Sequence, residues 1–140
     1  MKLDDSARQL IAAEPATLVT VNRDGSPQVS LVWMAVRRTA DGDDELVTAH
    51  LAEHQKVHNI RRDSRVAVTF VSTDRTTLQP PYLSIKGTAH IEEGGAPELL
   101  DEIATALLGP GTGFPPPGAP AGYLTHITIE HIGGVGPWAS

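Results

Sequence analysis

The chain has 140 residues, no cysteine, and 17 acidic against 11 basic side chains, for a net charge of −6. Disulfide and thiolate chemistry are excluded, the negative balance argues against a general nucleic-acid surface, and aromatics at 4% are too few for a base-stacking platform. A mass of 14.9 kDa suits one domain over residues 1–140, and folding at this size buries roughly 67% of the extended-chain surface. No apolar run reaches the ~20 residues of a membrane span. MKLDDSARQL has neither the basic nor the apolar region of a secretory leader, so a soluble, cytoplasmic protein is expected.

In chain order, the first expected element is a helix. Asp4 or Asp5 caps it, Leu3, Ala7, Leu10 and Ile11 recur at helical spacing, and Pro15 stops it. Thr17–Val21 is β-branched and apolar. Asp24-Gly25 then separates it from a second strand over Gln28–Val36, with Pro27 at the strand's first position. A turn at Asp41-Gly42-Asp43 leads to a third strand near Glu45–Leu51, and the three strands read as an antiparallel meander. The period changes over Ala52–Asp63, where Val57 and Ile60 form the apolar face of a short helix. Arg65–Ser72 and Tyr82–Glu92 alternate as strands four and five, with Gly87 marking a bulge or a close backbone approach.

Pro97–Leu108 is an amphipathic helix whose buried face is Leu99, Leu100, Ile103, Ala104 and Leu107, and Gly109 ends it. Gly109–Gly122 is too rich in Pro and Gly for regular structure. The last strand, Tyr123–Ile132, sets Leu124, His126 and Thr128 on one face and Thr125, Ile127 and Ile129 on the other. Six sequential antiparallel strands with inserted helices predict an all-β-dominated chain closed into a small barrel.

Charge is unevenly spread. Lys56, Arg61, Arg62 and Arg65 lie within ten residues, opposed by Asp63, so this window carries +3 in a chain of −6. A phosphate needs donors and positive charge, which Lys56, the amide of Asn59 on the same helix face and free backbone N–H groups can supply. A solvated basic helix face explains the composition as well. Lys86 is a second, isolated cation inside strand five, facing outward or toward a ligand. His54 and His58 share a helix face, yet no third ligand follows at metal-site spacing, so no metal site is expected. A serine nucleophile has no GxSxG, and Gly133-Gly134-Val135-Gly136 opens no helix, which removes the dinucleotide-loop reading.

The hairpin Asn22–Pro27, PQVSLVW (Pro27–Trp33), AEHQKVHNIRRDSRVAV (Ala52–Val68), KGTAHI (Lys86–Ile91) and IGGVGPW (Ile132–Trp138) follow one another in an order that resembles the pyridoxamine 5′-phosphate oxidase-like superfamily. Within it the chain is similar to the actinobacterial deazaflavin-dependent oxidoreductases that use coenzyme F420. The resemblance covers nearly the whole chain. It implies a six-stranded split β-barrel of the FMN-binding type and a homodimer with two cofactor sites at its interface. The expected activity is hydride transfer between reduced F420 and a small organic electron acceptor.

By the same resemblance, the segment from strand three into the helix, with Thr48, His54, Gln55, Lys56 and Asn59, grips the cofactor phosphate and acidic tail. Ser30, Val32 and Trp33 lie against the ring, and Lys86 and the Trp138 tail complete the site. Family members often carry an Arg shortly before the lysine, where this chain has His54 and Gln55. An FMN enzyme of the same fold, and a non-catalytic flavin or haem carrier, are the alternatives. No acid–base residue is singled out.

Overall fold

The computed structural model describes residues 1–139. Helix α1 (Asp5–Ala13) starts where Asp4 Oδ1 accepts the Ala7 N–H at 2.8 Å, and it stops two residues before Pro15. The strands are β1 (Ala16–Val21), β2 (Pro27–Val32), β3 (Ala35–Arg38), β4 (Asp44–His50), β5 (Arg65–Val71), β6 (Tyr82–Glu93) and β7 (Tyr123–Val135). Helix α2 (Gln55–Arg62) follows β4, and α3 (Ala96–Leu108) follows β6.

Two expectations are corrected. There are seven strands, because the run expected as Gln28–Val36 breaks at Trp33-Met34 into β2 and β3. The strands do not close into a barrel by a continuous ladder. Both hairpins of the expected meander are present, β1–β2 and β3–β4, but the break between them puts β2 and β3 at opposite edges of one antiparallel sheet, in the order β2-β1-β5-β6-β7-β4-β3, with β1 paired to β5 on its other side. The two outermost strands are β2 and β3, neighbours in the chain joined by only two residues. A sheet whose opposite edges are that close must curl round on itself. The barrel is thus completed by the covalent link at Trp33-Met34 and not by a hydrogen-bonded ladder, which is a split barrel. At the split, the Thr48 hydroxyl donates to the Trp33 carbonyl at 2.7 Å, a side-chain bond where a ladder bond is missing.

The interior is filled by Leu18, Leu46, Val68, Phe70, Leu83, Ile85 and Ile127. In β7, Thr125, Ile127 and Ile129 are buried, one of the two faces that the alternation set apart. Gly87 is both a bulge and a close approach: the β6–β7 register shifts between Lys86 and Gly87, and a Cβ at Gly87 would sit 2.0 Å from the Thr128 carbonyl oxygen. β7 runs three residues past Ile132, because Gly133 and Gly134 continue the ladder with Ser84 and Leu83. Among the described residues no helix is long and apolar enough to cross a membrane.

Alternation gives the sheet a second face. Val29 and Leu31 of β2 point away from the core and are 60% and 70% exposed. Pairing sets Val19 and Ala67 beside Val29 across β1 and β5, and Lys86 and His131 beyond them. Around Val29 this outer face is made of small and apolar side chains, with the cations Lys86 and Arg65 farther along it.

Candidate functional site

The site begins where β4 ends. His50 is the last residue of β4, His54 is the N-cap of α2, and Lys56 lies in the first turn of that helix. The His54 side chain makes no capping bond, so α2 keeps free N–H groups at its positive end. Lys56 extends toward β2, where its Nζ meets the Ser30 hydroxyl at 3.5 Å. Among the described residues that long contact is its one hydrogen bond, and no carboxylate pairs with it. Burial alone lowers the Lys56 pKa from its ordinary value. A half-buried ammonium with one weak neutral partner fits an anion, which would supply the charge and the acceptors it lacks.

His50 lies near enough to this cation to feel its charge. Its Nε2 is 2.8 Å from the Thr125 hydroxyl, and its ring meets that of His54 edge-on at 6.4 Å. Burial, with the Lys56 and His54 charges adding, brings its pKa down to about 3, so His50 is neutral at pH 7. Sequence reading passed over His50. The available signal was its place as the last residue of a strand feeding the basic helix.

Asn59 has a different part from the one expected of it. It is fully buried, and its Nδ2 donates to Thr20 Oγ1 at 3.0 Å and to Asn22 Oδ1 at 2.8 Å. Its Oδ1 accepts from Gln55 Nε2 at 2.9 Å. The amide is therefore committed within the chain, and Asn59 and Gln55 fix α2 against the β1–β2 hairpin instead of reaching outward. Arg62 adds to the same clamp by donating to the Val21 carbonyl. Thr20 Oγ1 in turn donates to Gln28 Oε1 at 2.8 Å. The network positions β2, and with it Ser30, under Lys56.

The other expected residues fall in separate places. Val32 and Thr48 are buried at the split in the barrel, with Trp33 half-exposed beside them. Lys86 points to the outer sheet face, away from the core side on which Lys56 meets Ser30. The Trp138 indole folds back on its own chain. Its Nε1 donates to the Tyr82 carbonyl at 2.7 Å, and its ring lines a groove with Leu10 and Ala13 of α1. The structure thus brings Ser30, His54, Gln55 and Lys56 together and leaves Lys86 and Trp138 apart from them.

Comparison with known proteins places this arrangement. The sequence profile of the pyridoxamine 5′-phosphate oxidase family matches residues 3–135. No curated protein sequence matches the chain. Among solved structures, an F420 reductase superposes with a TM-score of 0.72 at 24% identity, covering 90% of this chain and 94% of its own. A conserved hypothetical protein from Mycobacterium tuberculosis gives a TM-score of 0.72 at 24% identity, covering 96% and 85%. HupZ of Group A Streptococcus gives a TM-score of 0.70 at 22% identity, covering 99% and 98%. At these identities the structures share the fold, and the profile match fixes the membership. The chain belongs to the pyridoxamine 5′-phosphate oxidase family of split-barrel proteins.

Proposed function

We propose that the protein is an oxidoreductase that transfers a hydride between reduced coenzyme F420 and a small organic acceptor of the quinone, tetrapyrrole or lactone kind. The observation that carries this reading is Lys56: a half-buried cation at the start of α2, held over β2 with a single weak partner. The cofactor supplies the two-electron chemistry when bound. The chain supplies charge, position and exclusion of water. Lys56 and the free N–H groups of α2 meet the phosphate and acidic tail. The Asn59 network holds Ser30 at the proper depth. The neutral His50 keeps a second positive charge away from Lys56.

The similarity to an F420 reductase supports the choice of deazaflavin. FMN is the second reading, because the family profile is that of pyridoxamine 5′-phosphate oxidase, a fold that binds flavin-type cofactors. The chain works in this reading as a homodimer closed over the outer sheet face, where Val29 and Leu31 stand exposed. Titration of the purified protein with F420 and with FMN, followed by absorbance and fluorescence anisotropy, tests the reading. F420 is expected to bind with a Kd below about 10 µM, near −7 kcal/mol, and its reduced form to be oxidised on addition of a quinone. Binding of FMN without F420 would replace the first reading with the second. Binding without turnover would make the protein a carrier.

A further inference from the structure

The helix α3 does not bury the face that its sequence predicts. Leu99 and Ala104 are enclosed, but Ile103 and Leu107 stay partly open. They are open because they form one wall of a cavity of about 290 Å³. The opposite wall is Ile11 and Ala12 of α1, and the floor is Met34 of the link and Val36 of β3. The volume is at the lower end of the ~300–1,000 Å³ range of small-molecule sites, which are mostly apolar. A space walled by two helices and a strand suits a compact molecule better than a protein segment, which needs a continuous groove.

The charges at its mouth narrow the class further. Arg8 donates to Asp44 Oδ2 at 2.6 Å, and Arg37 is paired with Glu102. Each guanidinium at the rim already has its carboxylate, so no unpaired charge calls for an ionic ligand. We propose that the cavity between α1, β3 and α3 is a binding site for a compact, uncharged, largely apolar small molecule. Its position follows from the split in the barrel. The two-residue link that separates β2 from β3 presents Trp33 and Met34 to the space between the helices. The assignment does not depend on which cofactor the Lys56 site takes.

The test uses N-phenyl-1-naphthylamine, an uncharged aromatic probe whose fluorescence rises in apolar surroundings, with anilinonaphthalene sulfonate as its charged counterpart. Two variants fill the cavity from opposite walls, Ala106→Trp on α3 and Ala12→Trp on α1, both at exposed helix positions. The uncharged probe is expected to bind one per chain, and each variant to weaken it at least tenfold, about 1.4 kcal/mol, with native circular dichroism. Lys56→Ala should leave probe binding unchanged while F420 and FMN titrations report on the other site, so the two assignments fail separately. Probe affinity equal to wild type in both folded tryptophan variants, or no saturable binding to wild type, would overturn the proposal. Tighter binding of the sulfonate than of the uncharged probe would overturn the uncharged class.

Discussion

At the scale of single residues, a buried histidine and a partly buried one titrate with opposite consequences. His50 is neutral in the fold, its pKa held near 3 chiefly by burial and then by Lys56 and His54. Its folded value lies below the unfolded 6.5. Its contribution is therefore complete above pH 6.5 and declines as pH falls from there, at up to about 1.4 kcal/mol per pH unit. His126 behaves the other way. Burial opposes its charge, but hydrogen bonds to Glu92 at 2.7 Å and Glu45 at 2.9 Å outweigh burial and raise its pKa above 6.5. Its contribution is complete below pH 6.5 and is lost as pH rises through the folded value. Urea unfolding of His50→Gln between pH 4.5 and 6 should show a shallower fall in stability than wild type. His126→Gln should lose part of the wild type's decline between pH 6.5 and 9. A wild-type pH profile in either variant would contradict the corresponding assignment.

Asn59 shows why residue-level reading of a site is incomplete. Its helical spacing from Lys56 was visible in the sequence, and so was its polar chemistry. The partners that absorb its amide, Thr20 and Asn22, lie 39 and 37 residues away and come within reach only when α2 packs on the β1–β2 hairpin. Asn59→Ala would remove the bonds to Thr20 and Asn22 and strip Gln55 of its acceptor, so a loss of about 1–3 kcal/mol in unfolding free energy is expected. Asn59→Asp should fare no better, since a carboxylate cannot donate to Thr20 or Asn22. Chemical denaturation checks both variants, and an unchanged midpoint for Asn59→Ala would show the network to be incidental.

At the scale of elements, local signals were read well where the chain itself enforces them. The Asp4 cap, the turn at Asp24-Gly25, the alternation of β7 and the bulge at Gly87 are each written within a few residues. The break at Trp33-Met34 is not. Exposed Val29, Leu31 and Trp33 alternate with buried Val32 and Met34 straight through it, so the hydrophobic pattern continues while the ladder changes partner. The pairing of β1 with β5 was equally hidden, since nothing in either strand names its neighbour. Gly87 offers the sharpest element-scale test. With a Cβ placed 2.0 Å from the Thr128 carbonyl oxygen, Gly87→Ala must push β6 and β7 apart. Thermal melting should show a destabilisation of about 1–3 kcal/mol, and a melting temperature equal to wild type would contradict the close approach.

At the scale of the molecule, the accessible surface runs a little above the average for monomers of this mass. The accessible area is 7641 Å², whereas the scaling law for monomers gives about 7,000 Å² at this mass. Part of the excess is apolar and lies together on β2, where Val29 and Leu31 border Val19 and Thr17 of β1. Such a strip on a curled sheet is the surface that the proposed homodimer would cover. Leu31→Asp should shift sedimentation from twice 14.9 kDa to 14.9 kDa without unfolding the barrel, because its side chain takes no part in the core. A wild-type protein that sediments as a monomer at micromolar concentration would remove the homodimer from the account.

The central claim is that Lys56 is the cation that holds the cofactor's anionic end, and its direct measurement is the affinity of wild type and Lys56→Ala for F420 and FMN at rising salt. Removing a charge-assisted hydrogen bond worth about 1.5–3 kcal/mol should weaken binding roughly 10- to 150-fold at low ionic strength. The gap should narrow as salt screens the wild-type site, while the melting temperature stays near wild type, since Lys56 makes a single weak contact with the rest of the chain. Equal affinities for wild type and Lys56→Ala at every salt concentration, with both proteins folded, would contradict the claim and return the basic helix to a solvated surface.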